Sequence, residues 1–177
     1  MGAMNKEEIL QGCRWDDLGW ARIEVYSEMF GRNIEVRLMP DIDSGPRLTD
    51  RMVAVLNDFL VLTREDLETV KQYLWEDCLR DFEDIDYGVA VAAGETLSQA
   101  NQREFGIRNA EEAYARSSLK RLSIPEEPTL RNRYGAIDFE PEWAGHGCSI
   151  IMKNGQLIAS YSNDWYFSKY EDEEPKE

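Results

Sequence analysis

Hydrophobic residues along this chain fall into two spacings, and each change of spacing marks an element boundary. Ile23 and Val25 alternate with Arg22, Glu24 and Tyr26; Ile34, Val36 and Leu38 alternate with Glu35, Arg37 and Met39. A period of two puts each set on one face of a strand, so two strands are predicted, joined through Phe30-Gly31-Arg32-Asn33. The period then becomes helical. Met52, Val55, Leu56, Phe59 and Leu60 form an apolar stripe behind Thr49, an N-cap residue type. Leu67, Val70, Leu74, Cys78 and Phe82 form a second stripe behind Thr63, with Asp66 three residues on as a capping-box acid. A short connection between two such helices predicts an antiparallel pair laid on the sheet. Alternation returns at the end of the chain, with Cys148, Ile150 and Met152 on one face and Ser149, Ile151 and Lys153 on the other. Asn154-Gly155 follows, the residue types that best tolerate the two positive φ angles of a type I′ hairpin turn.

Weaker patterns fill the intervals. Asn5 to Gln11 reads as a short helix with Ile9 and Leu10 as its apolar contacts, and Pro40 to Pro46 as a loop. Tyr87 to Ala93 fits either a buried strand or a passage out of the second long helix. Gly94 to Gly106 is polar and weakly patterned, which suggests a mobile insertion. Asn109 with Glu112 caps a short helix from Ala110 to Arg116; Leu122 and Ile124 mark a strand ending at Pro125; Tyr134 to Phe139 marks another. Trp15, Trp20 and Trp143 are assigned to the core. The expectation is one α+β domain over residues 4–170, an antiparallel sheet built from hairpins and packed against a pair of antiparallel helices. Tyr170 to Glu177 reads as frayed, with residues 171–177 an acidic tail, and Met1-Gly2-Ala3 as a cloning remnant ahead of Met4.

Charge narrows the class of partner. Over 177 residues the formal net charge is −15, which repels phosphate backbones and anionic membranes and steers a cationic partner inward. The simpler reading is that acidity provides solubility. Three cysteines, odd in number and far apart, argue against a disulfide framework and for a reducing, cytoplasmic setting. No apolar run approaches the roughly 18 residues of a membrane span.

Candidate chemistry is sparse. His146 is the one histidine, and with Cys148 it makes neither a metal-ligand set nor a plausible nucleophile pair, because Cys148 begins an apolar strand face. No phosphate-binding loop or dinucleotide fingerprint is present, so catalytic residues, metal and cofactors are all expected to be none. The carboxylates are more informative. Glu76, Asp77, Asp81, Glu83, Asp84 and Asp86 crowd the C-terminal half of the second long helix, where the helix dipole already favours cations. Such a cluster is either a solvated face or a recognition surface for a basic patch. With Trp165 and Tyr166 as aromatic anchors, those eight residues form the candidate partner-binding set.

The order of features resembles an uncharacterised bacterial domain family often encoded beside polymorphic toxins. The likeness rests on Gly19-Trp20 leading into a strand, Phe30-Gly31 before the next, the helix pair, and Trp143-x-x-His146-Gly147 ahead of the Asn154-Gly155 hairpin. It departs from the family at Gly145, where an acidic residue is the pattern. The resemblance implies an immunity-like, non-catalytic protein that binds and neutralises a cognate toxin, with monomer or dimer undecided. The alternatives are a small enzyme using His146 with a carboxylate such as Glu142, and a non-catalytic regulatory module.

Overall fold

The computed structural model describes residues 2–162 and 165–172. A helix, α1 (Lys6–Gly12), opens the chain, followed by β1 (Arg14–Trp15), β2 (Ala21–Ser27) and β3 (Arg32–Met39). A long crossover then carries α2 (Asp50–Leu60), α3 (Asp66–Asp84), α4 (Leu97–Phe105) and α5 (Ala110–Ala115). The chain returns to the sheet as β4 (Ser117–Pro125), β5 (Tyr134–Pro141), β6 (Cys148–Lys153) and β7 (Gln156–Ser162). The seven strands lie in the sheet in chain order. Every neighbouring pair is antiparallel except β3 and β4, which the crossover makes parallel. The fold is therefore α+β, as the two periodicities predict.

Local chemistry explains most of the boundaries. Thr49 Oγ1 accepts from the Met52 amide at 3.2 Å and starts α2. All five residues of the α2 stripe are buried, each side chain contributing about 1.5–3 kcal/mol of transfer free energy. Asn154 and Gly155 adopt φ of 49° and 83°, the hairpin turn their residue types require. The Asn154 amide donates to the Arg133 carbonyl at 2.8 Å, and the Arg133 amide returns a 2.9 Å bond to Asn154 Oδ1, tying the turn to the start of β5.

The helices cover one face of the sheet. Val25, Val36, Leu122, Ile137 and Ile150 meet Leu56, Phe59, Leu74 and Phe82 in the main core. α2 lies over β4 and β5, and α3 over β6 and β7. On the opposite face a second cluster forms, where Phe167 stacks on Tyr134 with centroids 5.0 Å apart and Tyr170 is buried. The β6 strand is thus covered on both sides, whereas the same face of β2 remains open.

Several expectations need correction. Residues 94–106 are not an insertion: Thr96 and Gln99 form a reciprocal capping box, and Gly106 ends α4 at φ 68°. Of the two readings of Tyr87 to Ala93 the buried strand is the one that fails, since residues 85–92 form no regular element and the segment is a passage out of α3. Leu10 is exposed while Ile9 is buried, and Trp15 and Trp20 sit at the surface side of the sheet, leaving Trp143 as the core tryptophan of the three. Tyr170 and Glu171 are docked rather than frayed. Glu171 Oε2 accepts from the Arg131 amide at 2.9 Å and Oε1 from the Asn132 amide at 3.1 Å, while Lys153 Nζ donates to the Tyr170 carbonyl at 2.6 Å. Residues 173–177 of the expected tail lie outside the described residues.

Candidate functional site

α3 carries its acids in two phases. Asp77 and Asp81 are spaced three from Leu74 and Cys78, so they fall on the buried stripe, whereas Glu76, Glu83 and Asp84 fall off it. Asp77 is fully buried. Its Oδ1 pairs with Arg80 at 2.9 Å and accepts from Ser162 Oγ at 3.2 Å, and Arg80 reaches Ser160 Oγ at 3.0 Å. Those bonds fasten α3 to β7. Both inward acids leave Oδ2 without a hydrogen-bond partner among the described residues. Asp77 and Asp81 therefore cannot serve as exposed docking residues.

Asp81 is where α3 meets the loop before β6. His146 Nε2 lies 3.7 Å from Asp81 Oδ2, close enough for an ion pair and too far for a hydrogen bond. His146 Nδ1 lies 3.1 Å from the Gly147 carbonyl, an acceptor, so Nδ1 carries a proton and Nε2 faces the acid. Burial, reinforced by the neighbouring Asp77 charge, raises the Asp81 carboxyl above its ordinary range, while His146 and Arg80 pull it back. Glu142, the carboxylate that sequence proximity suggests for His146, pairs with Arg116 at 2.9 Å instead.

The same interior rules on nucleophiles. Burial first, and Asp77 second, push the Cys148 thiol far above its usual value, so no thiolate forms there near neutral pH. Burial and Asp81 raise the Tyr87 phenol to about 12. His146 also borders an open groove of about 680 Å³ with Arg121, Asp138, Ser149 and Trp165. Among the described residues, no three His, Cys, Asp or Glu side chains converge as metal ligands.

The remaining acids face solvent. Glu76, Glu83, Asp84 and Asp86 are exposed and make no ion pair among the described residues. No basic residue occupies the last turn of α3. Its C-terminal carbonyls are satisfied instead by Asn101 of α4, whose Nδ2 donates to Phe82 O at 3.0 Å and Ile85 O at 3.2 Å. A buried amide thus does the work of a C-terminal cation, and the exposed side chains of the last turn, Glu83 and Asp84, are both acidic. Asn101 is not legible as a capping residue from sequence alone, because residues 94–106 are polar and weakly patterned. The Thr96–Gln99 capping box is the signal that finds that helix.

The structure does not join the aromatic anchors to this surface. Trp165 donates through Nε1 to Asp138 Oδ1 at 3.1 Å on the sheet face opposite the helices, and Tyr166 beside it is 61% exposed.

These features describe an α+β module with an acidic helix terminus on one side and a polar sheet face on the other. The chain belongs to DUF6985, a family described as a domain of unknown function, which matches residues 7–167. No curated protein and no solved structure matches it. Among the described residues, no helix is long and apolar enough to cross a membrane.

Proposed function

We propose that this chain is an immunity-type binding protein that occludes a cationic partner, such as a bacterial toxin domain, with the acidic end of α3. One observation carries the reading: Glu83, Asp84 and Asp86 stand exposed at a helix C-terminus with no compensating cation in the last turn. That placement works against the helix dipole, so it is a feature better explained by a partner than by folding. The net charge of −15 adds long-range attraction for a basic target. Occlusion needs no catalytic group on this chain, and its action belongs in the cytoplasm, where a toxin would reach its target. The test is capture of the protein encoded next to this chain, followed by a protection assay in cells expressing that protein. The wild type is expected to bind and protect, and Glu83→Lys/Asp84→Lys/Asp86→Lys to do neither. Undiminished protection by the triple variant would remove the acidic surface from the account.

A further inference from the structure

The face of β2 and β3 turned away from the helices carries charge in bands. Residues directly opposite on neighbouring antiparallel strands share a face. Arg14 lies opposite Arg22, and Arg22 opposite Arg37, giving a row of arginines; Glu24 lies opposite Glu35, giving a row of glutamates beside it. Like charges placed directly opposite are unfavourable, and exchanging Arg22 with Glu24 along one strand would remove the conflict. The ion pairs that offset it are loose, at 3.5 Å for Arg22–Asp16, 3.4 Å for Arg37–Glu35 and 3.9 Å for Arg121–Glu35. Arg37 Nε is buried without a hydrogen-bond partner among the described residues. Burial and the like charges of Arg121 and Arg22 lower the affinity of the Arg37 guanidinium for its proton. Both ends of the bands are aromatic. Trp20, half-buried, lies under the Arg37 guanidinium at 5.8 Å, and Tyr26 is 43% exposed. From Trp20 into β2 the order is therefore aromatic, cation, anion, aromatic, which becomes its own complement when reversed.

We propose that this face is the contact of a homodimer, occupied by a second copy of the chain. A two-fold axis lying in the interface, across the strands and between the two rows, sets Arg22 over Glu24 of the second copy. The same axis sets Arg37 over Glu35 of the second copy and Trp20 over its Tyr26. An unrelated partner of one charge would be matched by one band and repelled by the other, whereas a two-fold copy matches both. Strands about 4.8 Å apart and about 20 Å of strand length give a contact below the roughly 800 Å² per partner of stable complexes. The dimer is accordingly weak and reversible, and the −15 charge on each copy weakens it further at low salt.

Sedimentation equilibrium of the full chain, from micromolar to millimolar concentration at physiological salt, tests this. The wild type is expected to dimerise reversibly. Arg22→Glu/Arg37→Glu makes both rows acidic on β2 and β3 and should raise the dissociation constant at least about tenfold. Adding Glu24→Arg/Glu35→Arg to that variant inverts both bands, restores complementarity, and should return dimerisation to near the wild-type level, with circular dichroism confirming the fold of each protein. A wild type that stays monomeric, a dimer indifferent to the double reversal, or a quadruple variant that stays monomeric would each overturn the proposal.

Discussion

Glu83 and Asp84 close the last turn of α3 and Asp86 follows it, so replacing all three by lysine exchanges anions for cations where the helix dipole is negative. At exposed sites each exchange contributes about 0.3–0.5 kcal/mol, toward the low end for a helix end whose carbonyls Asn101 already bonds. Arg80, four residues before Asp84, is already paired with Asp77, so Asp84→Lys loses no ion pair among the described residues and adds only a mild like-charge contact that trims the gain by about 0.3 kcal/mol. Removing the Asp84 charge eases the ionised form of Asp81 beside it, which adds to the gain. The net expectation is a stabilisation of about 1 kcal/mol, or about 2–4 °C in Tm for a chain of this size. Urea denaturation and calorimetry at low and high salt would measure it, with the gain shrinking as salt screens the dipole. A loss of stability at low salt would show that these acids serve the fold, and would remove the reason for assigning them to a partner.

Three further outcomes probe other parts of the structure. Arg51 donates to four backbone carbonyls, those of Glu127, Leu130, Arg131 and Asn132, at 2.5–2.9 Å; Arg51→Ala should cost about 2–3 kcal/mol in urea denaturation, and Arg51→Lys should recover little of it. Backbone and side-chain donors around Glu171 lower its carboxyl to about 2, so its contribution is full above the ordinary carboxylate range and is lost as pH falls toward 2. The urea midpoint followed from pH 5 downward should therefore fall less steeply in Glu171→Gln than in the wild type. Cys148 and Cys78 are buried while Cys13 is partly exposed, so alkylation of the native protein at neutral pH should label Cys13 alone, as read by mass spectrometry of peptides.

Much of the fold is legible in the sequence because its signals are local. The α2 stripe, the Asn154-Gly155 turn and the alternation in β2 and β3 each depend on residues within one element. The parallel pairing of β3 with β4 is not local, since the crossover between them spans four helices and no turn residue encodes it. α4 escaped notice because its hydrophobic content is low, although its caps are spelled out by Thr96, Gln99 and Gly106. The docked C-terminal segment depends on Lys153 and Glu171 reaching backbone groups far away in sequence. The candidate site was half readable. Counting acids along α3 located the cluster, but helical phase divides it, sending Asp77 and Asp81 inward with Leu74 and Cys78. Phase was available from the sequence; the partners Ser162 and His146 were not.

We propose that the exposed acids of α3 steer a cationic partner onto this chain. The most direct test is the association rate constant with that partner, measured by stopped flow over a range of ionic strength for the wild type and for Glu83→Lys/Asp84→Lys/Asp86→Lys. At low salt the wild-type rate should lie well above the roughly 10⁵–10⁶ M⁻¹s⁻¹ of unsteered association and should fall steeply as salt rises. The variant should be slower at low salt by about tenfold or more and should converge on the wild type at high salt. Equal rates at low salt, or a wild-type rate indifferent to salt, would contradict it.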